Sequence, residues 1–187
     1  MSSQNKNVVV VTGSSGLIGC ALCKALAKSY QVIGFDRDGY PYPPPEAECV
    51  CVDLSSDASV HRAFERVRYA YGHRIASVIH LAAYYSFSGE PSPFYEQITV
   101  RGTKRMLREL QNFEVEQFVF SSTELVHAAT VPGKPIDEDS PLDPNWDYPK
   151  SKVATEKLIH EKRGQIPVVI LRIAGVYTDT AEEMSSL

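Results

Sequence analysis

Two stretches of the 187-residue chain hold residue types whose spacing could do chemistry. The first, Thr12-Gly13-Ser14-Ser15-Gly16-Leu17-Ile18-Gly19, sets three glycines between the apolar run Val8–Val11 and a helix-period segment. Glycines in a strand-to-helix turn let backbone N–H groups and the positive end of a helix dipole approach a phosphate. Gly13 would allow the tight turn, Gly16 the close approach of the phosphates, and Gly19 the packing of helix on strand. The second stretch holds Tyr148 and Lys152, four residues apart. On a helix both side chains then share one face, and an ammonium there favours the ionised phenol, as proton transfer requires. Alone, each pattern also fits a plain turn or a solvated helix face, so the surrounding elements must decide.

Those elements alternate. Short, nearly continuous apolar runs at Val8–Val11, Gln31–Phe35, Cys49–Val52, Ser77–Leu81, Gln117–Phe120 and Val168–Ile173 fit strands buried on both faces. Helix-period segments at Leu17–Ser29, Ser59–Tyr71, Tyr95–Asn112 and Pro149–Lys162 lie between them. The fold class this implies is α/β: a doubly wound parallel sheet of Rossmann type, about six strands with helices on both faces, in one domain spanning 1–187. The second run ends at Asp36, seventeen residues past Gly19, close to the ~20 expected for a carboxylate that holds an adenosine ribose. A carboxylate there repels a 2′-phosphate, so NAD is favoured over NADP, although Arg37 beside it could serve a phosphate. The third run ends in Val52-Asp53-Leu54, where Asp53 either reaches the adenine amino group or caps a helix. Strand, glycine loop, helix, strand and terminal Asp together point to dinucleotide binding.

Charge and composition narrow the partners. Nineteen Lys and Arg against 23 Asp and Glu leave a net charge of −4, without a block of like charge, so nucleic acid and anionic membrane are not expected partners. No apolar stretch approaches the ~20 residues that span a bilayer, and the first apolar run is too short for a signal sequence. A soluble cytoplasmic protein is the expectation. Cys20, Cys23, Cys49 and Cys51 form a C-x-x-C and a C-x-C, yet the first pair falls in a helix pattern and the second on one strand face. They are expected to be buried thiols, with no metal or redox role. The prolines of Tyr40–Glu46 forbid a helix and suggest a stiff surface loop. Val131–Tyr148, rich in Pro, Asp and Gly, is a long loop of the kind that borders sites.

Taken together, Thr12–Gly19, the His80-Leu81-Ala82-Ala83 string, Ser121-Ser122-Thr123, Tyr148–Lys152 and Leu171–Tyr177 resemble the extended short-chain dehydrogenase/reductases, and within them the NAD-dependent epimerase/dehydratase group. The resemblance implies that Tyr148 is the general acid/base, that Lys152 lowers its pKa and binds the nicotinamide ribose, and that Thr123 hydrogen-bonds the reacting oxygen. It implies backbone N–H groups from Leu17 and Ile18 beside the pyrophosphate, Ala82, Ala83 and Tyr84 along the middle of the dinucleotide, and further cofactor contacts from Ser15, Leu54 and Leu81. It further implies a small-molecule substrate, a secondary alcohol or ketone of nucleotide-sugar type, and a homodimer through the Tyr95–Asn112 and Tyr148-bearing helices. Phe94, Met106, Leu107, Val153 and Ile159, which such a dimer would use, serve equally well as core. A non-catalytic NAD-binding sensor or interaction module is the alternative.

Departures from the family pattern bear on each of these readings. Thr99-Val100-Arg101-Gly102-Thr103 stands where the family reads N-V-x-G-T, so its Asn is missing, and a hydroxyl substitutes only in part. Val126-His127-Ala128 replaces V-Y-G, leaving His127 either as a second acid or base or in the aromatic's packing position. Glu124 and Leu125 stand where sugar-nucleotide 4,6-dehydratases place Asp-Glu; Leu cannot remove a proton, which disfavours dehydration. The sequence stops at Leu187, shortly after the sixth apolar run, so the substrate-gripping C-terminal lobe usual in the family is expected to be absent or truncated.

Overall fold

A computed structural model describes residues 6–39, 43–86 and 88–177. Its main sheet consists of β1 (Val8–Thr12), β2 (Gln31–Asp36), β3 (Glu48–Cys51), β5 (Ser77–His80), β7 (Phe118–Thr123) and β8 (Val168–Ile173). The strands stand in the order β3-β2-β1-β5-β7-β8, all parallel, with the sequence order reversing on either side of β1. Two-residue strands β4 (Arg74–Ile75) and β6 (Glu114–Val115) form a small parallel ribbon that their length hid from the sequence pattern.

The helices are α1 (Leu17–Leu26), α2 (Asp57–Tyr71), α3 (Arg101–Leu110) and α4 (Asp147–Lys162). On one face, Val8, Val10, Ile33, Phe35, Phe118 and Phe120 pack against Val60 and Phe64 of α2, Met106 and Leu107 of α3 and Ile159 of α4. On the other, Val9, Val11 and Val32 pack against Cys23 of α1. Helix α2 is bounded at both ends: the Ser56 hydroxyl caps its start by accepting from Ser59 N–H, and Gly72 at φ +85° ends it. A single stretch expected as helix from Tyr95 divides into a π-helix, Tyr95–Val100, followed by α3. Such wide turns inside helices cluster at functional sites.

Burial on both faces holds for β1 and β2 but fails at the two edges of the sheet. Cys49 and Cys51 of β3 do share a face, but that face is exposed, so the expectation of buried thiols is corrected there. Cys23 is buried, and desolvation pushes its thiol pKa up to about 12; Cys20 is half-buried. On β8, Val169 and Leu171 are 37% and 46% exposed. Val169 lies opposite Val119 on the α1 side of the sheet, and α1 packs chiefly on β1 and β2, at the other half of the sheet from β8. Of the side chains named for a dimer, Met106, Leu107, Val153 and Ile159 are buried within the chain and serve as core, whereas Phe94 is exposed. In the proline stretch, Tyr40–Tyr42 lie outside the described residues, and Pro45 and Glu46 form an exposed turn. Among the described residues no helix is long and apolar enough to cross a membrane.

Candidate active site

The glycine loop joins the buried end of β1 to α1. Gly13 has φ +68°, and a Cβ there would stand 3.0 Å from the Ala82 nitrogen, so the turn requires glycine on both counts. At Gly19 a Cβ would lie 2.7 Å from Ser14 Cα and closer still to the Gly13 carbonyl oxygen, which is why α1 can seat on the loop. Gly16 differs. It is the N-cap of α1 in extended backbone, and the nearest atom to a Cβ there is 3.4 Å away, so nothing within the chain demands glycine. Its exposed Cα instead forms part of the wall of a cleft.

That cleft, of about 380 Å³, opens at the carboxyl ends of the strands. Gly13 and Gly16 line it from the loop, Asp36 and Arg37 from the end of β2, and Asp53 and Leu54 from beyond β3. Leu81, Ala82, Ala83 and Tyr84 close it from the segment after β5. Asp36 accepts hydrogen bonds from the backbone N–H of Ser15 and of Arg37, both at 2.8 Å. The carboxylate therefore ties the loop to β2, and Ser15 commits its N–H to Asp36 and not to the cleft. Asp53 accepts from the N–H and hydroxyl of Ser55 at 2.8 and 2.7 Å. Since Ser56 takes the cap of α2, the helix-cap alternative for Asp53 is corrected.

A second cleft, of about 640 Å³, continues from the first and shares Leu81, Ala83 and Tyr85 with it. Thr123, Tyr148, Lys152 and Ile18 all line it. Strand β7 runs three residues beyond its apolar core, so Thr123 is its last residue; the hydroxyl accepts from Leu125 N–H at 3.3 Å and caps the 3-10 turn Glu124–Val126. Helix α4 starts at Asp147, placing Tyr148 and Pro149 in the first turn, where proline is tolerated. Leu17 and Gly19 line neither cleft; Gly19 is buried beneath the loop.

Lys152 is 2% exposed, its Nζ donating to the Ser121 carbonyl at 2.7 Å and lying 4.8 Å from the Phe120 ring centre. Desolvation lowers its pKa to about 7, against a smaller upward pull from Glu156. Tyr148 packs edge-on to Tyr85 with ring centres 4.8 Å apart and stands 5.5 Å from Trp146. Burial, with Tyr85 and Tyr95 adding to it, pushes the phenol up to about 12. The spacing argument alone put the phenol lower; here the ammonium lies 5.5 Å from the ring centre, engages Ser121, and burial prevails. His127 lies outside this cleft, its Nδ1 donating to the Ser140 carbonyl at 3.2 Å and its Nε2 facing Arg172 Nη1 at 3.4 Å.

Sequence reasoning passed over three residues here. Tyr85 lines both clefts and meets Tyr148 edge to face. Glu156, one helical turn beyond Lys152 and 6% exposed, pairs with Arg172 of β8 at 2.8 and 3.2 Å and accepts from the Ser122 hydroxyl. The signal was present in Val168–Ile173: an arginine inside an apolar strand needs a buried anionic partner, and Glu156 lies on the face that α4 turns inward.

A parallel sheet whose order reverses beside a glycine loop, with two joined clefts at its carboxyl edge, defines a Rossmann-type dinucleotide-binding fold. Residues 9–186 match the NAD dependent epimerase/dehydratase family, and the chain belongs to it. It is 31% identical over 159 residues to a UDP-glucose 4-epimerase of Halalkalibacterium halodurans, covering 81% of this chain and 45% of that protein. It is 26% identical over 185 residues to the dTDP-D-glucose 4,6-dehydratase of Homo sapiens, covering 90% and 51%. Among solved structures it resembles the complex of a Thermus thermophilus UDP-glucose 4-epimerase with NAD, at TM-score 0.76 and 27% identity, covering 88% and 54%. The chain thus spans about half the length of these relatives. Because dehydratases stand beside epimerases among them, the expectation that disfavoured 4,6-dehydration gains no support from kinship.

Proposed function

We propose that the chain binds NAD across the two joined clefts and acts on a secondary alcohol or ketone of a nucleotide sugar, as an oxidoreductase or epimerase. The observation that carries this reading is the meeting of the glycine-loop cleft and the Tyr148–Lys152–Thr123 cleft at Leu81, Ala83 and Tyr85. A dinucleotide laid over that junction puts its adenosine between Asp36 and Asp53, its pyrophosphate at the N-terminus of α1, and its nicotinamide beside Tyr148. The absence of a side chain at Gly16, which no contact within the chain demands, fits a phosphate there. Asp36 favours NAD over NADP because its carboxylate repels a 2′-phosphate.

NAD, when bound, supplies the hydride acceptor and donor. Tyr148, neutral at pH 7, is in the form that donates a proton to an oxygen gaining charge, and the same phenol takes the proton back in the reverse direction. Lys152 stabilises the phenolate whenever its own charge is present. Thr123 has its proton free to hold the reacting oxygen, since its hydroxyl oxygen accepts from Leu125. Leu125, 48% exposed at the cleft, brings no group that could abstract a proton, which supports redox or epimerisation over dehydration. Replacing Tyr148 by Phe is expected to lower turnover of nucleotide sugars at least about 100-fold while NAD still binds. Unchanged turnover would refute the assignment, and NAD binding without turnover of any sugar by the parent chain would favour the sensor alternative.

A further inference from the structure

Between β1, β5 and α3 runs a chain of buried polar groups that the proposed chemistry does not use. The Thr12 hydroxyl meets His80 Nδ1 at 2.6 Å, and His80 Nε2 meets the Thr103 hydroxyl at 2.9 Å. Thr103 donates to the Thr99 carbonyl at 2.6 Å. At the two ends are backbone amides of the segment that walls both clefts: Ala82 N–H donates to Thr12 Oγ1 at 3.1 Å, and Tyr84 N–H to Thr99 Oγ1 at 3.0 Å. Thr12, His80, Thr99 and Thr103 are all fully buried, out of reach of bulk solvent.

The proton positions follow from one fact: a carbonyl can only accept. The Thr103 proton is therefore on the Thr99 carbonyl, and the Thr103 oxygen must accept from His80 Nε2–H. His80 Nδ1 is then bare and accepts from the Thr12 hydroxyl, whose oxygen accepts from Ala82. The other tautomer would set the lone pair of Nε2 against that of Thr103. Burial agrees, since desolvation lowers the His80 pKa to about 3, with Lys152 adding to the effect. Phe118 and Phe120 of β7 both pack against the imidazole, each with its ring centre 5.8 Å away.

We infer that this circuit, with His80 locked as the neutral Nε2–H tautomer, is a positioning device that holds the Ala82–Tyr84 wall at the junction of the two clefts. It rests on the reading that NAD lies there. It also gives a defined role to Thr99, which stands where the family's Asn would be, because its hydroxyl and carbonyl together close the circuit from Thr103 to Tyr84. His80 and Thr103 touch no part of either cleft and act through the backbone they hold.

The test has two parts. Nitrogen-15 NMR of the parent chain at pH 7 is expected to show His80 protonated at Nε2 and bare at Nδ1; a proton on Nδ1 overturns the inference. Calorimetric titration with NAD is then made on Thr99→Val, Thr103→Val, their double variant and Thr99→Ser. Each valine variant is expected to raise the Kd for NAD about tenfold, because it leaves a buried donor or acceptor unpaired. The double variant is expected to lose far less than the hundredfold that independent sites would give. Thr99→Ser, which keeps the acceptor, is expected to bind like the parent. Parent binding with unchanged affinity in folded Thr99→Val, or failure of Thr99→Ser to restore binding, overturns this inference alone. Failure of the parent to bind NAD overturns the proposed function with it, while the tautomer still reports whether the circuit is formed.

Discussion

Alanine at Gly16 separates the glycine that the fold requires from the one that a ligand requires. At Gly16 the added Cβ comes no closer than 3.4 Å to any atom, an ordinary contact, and the backbone is already extended. Losing glycine at an N-cap costs about 0.5 kcal/mol, so the free chain is expected to melt within about 2 °C of the parent. Gly16 lines the cleft where the pyrophosphate is proposed to sit, so a methyl there would take space from the phosphates, and a tenfold rise in the Kd for NAD is the minimum expected. Binding to the native state alone contributes RT ln(1 + [L]/Kd), about 2.7 kcal/mol at a hundredfold excess. The variant at the same NAD concentration retains about 1.4 kcal/mol. At roughly 2–4 °C per kcal/mol for a chain of this size, the NAD-induced rise in Tm should shrink by about 3–5 °C. Gly19→Ala is the contrasting control. Its Cβ meets backbone at 2.7 Å and nearer, so overpacking outweighs the gain in helix propensity and the free chain loses about 1–2 kcal/mol. Differential scanning fluorimetry with and without NAD reads all four quantities. An undiminished NAD shift in Gly16→Ala refutes the reasoning, as does a Gly19→Ala chain that melts with the parent.

Two other perturbations test the electrostatics behind Tyr148. Burial lowers the Lys152 pKa from 10.5 to about 7, so between those values the unfolded chain binds more protons and stability rises with pH, whereas below about 7 both states are protonated and the cost of the buried charge is at its full value. Lys152→Met is therefore expected to stabilise the free chain most at pH 6, with the advantage shrinking as pH climbs from 7 toward 10; denaturant titrations at pH 6, 8 and 9.5 check it, and a pH-independent difference contradicts it. Arg172→Met removes the cation paired with Glu156 and is expected to destabilise the chain by about 3 kcal/mol. Adding Glu156→Gln should then recover part of that loss in a double-mutant cycle, and strict additivity of the two would count against the pair.

What could be read in the sequence was whatever repeats locally. Four successive valines before a glycine, an aspartate at the end of the next run and a Tyr-x-x-x-Lys on a helix pattern are short-range facts. They determined the parallel sheet, the dinucleotide loop and the candidate acid/base, because strand periodicity, turn geometry and helix spacing depend only on neighbours. Edge effects were out of reach: Cys49, Cys51, Val169 and Leu171 look like core residues until the strand order places β3 and β8 at the margins. The same holds for charge. Whether Lys152 would lower the Tyr148 pKa turned on where its ammonium points and how dry the site is, and both are set by β7, which presents the Ser121 carbonyl. Pairings such as Glu156 with Arg172, or Thr12 with His80 and Thr103, join residues 16, 68 and 23 positions apart. No local pattern encodes such a contact; only the tertiary structure decides which buried polar group satisfies which, because burial takes away the water that would otherwise satisfy each of them alone.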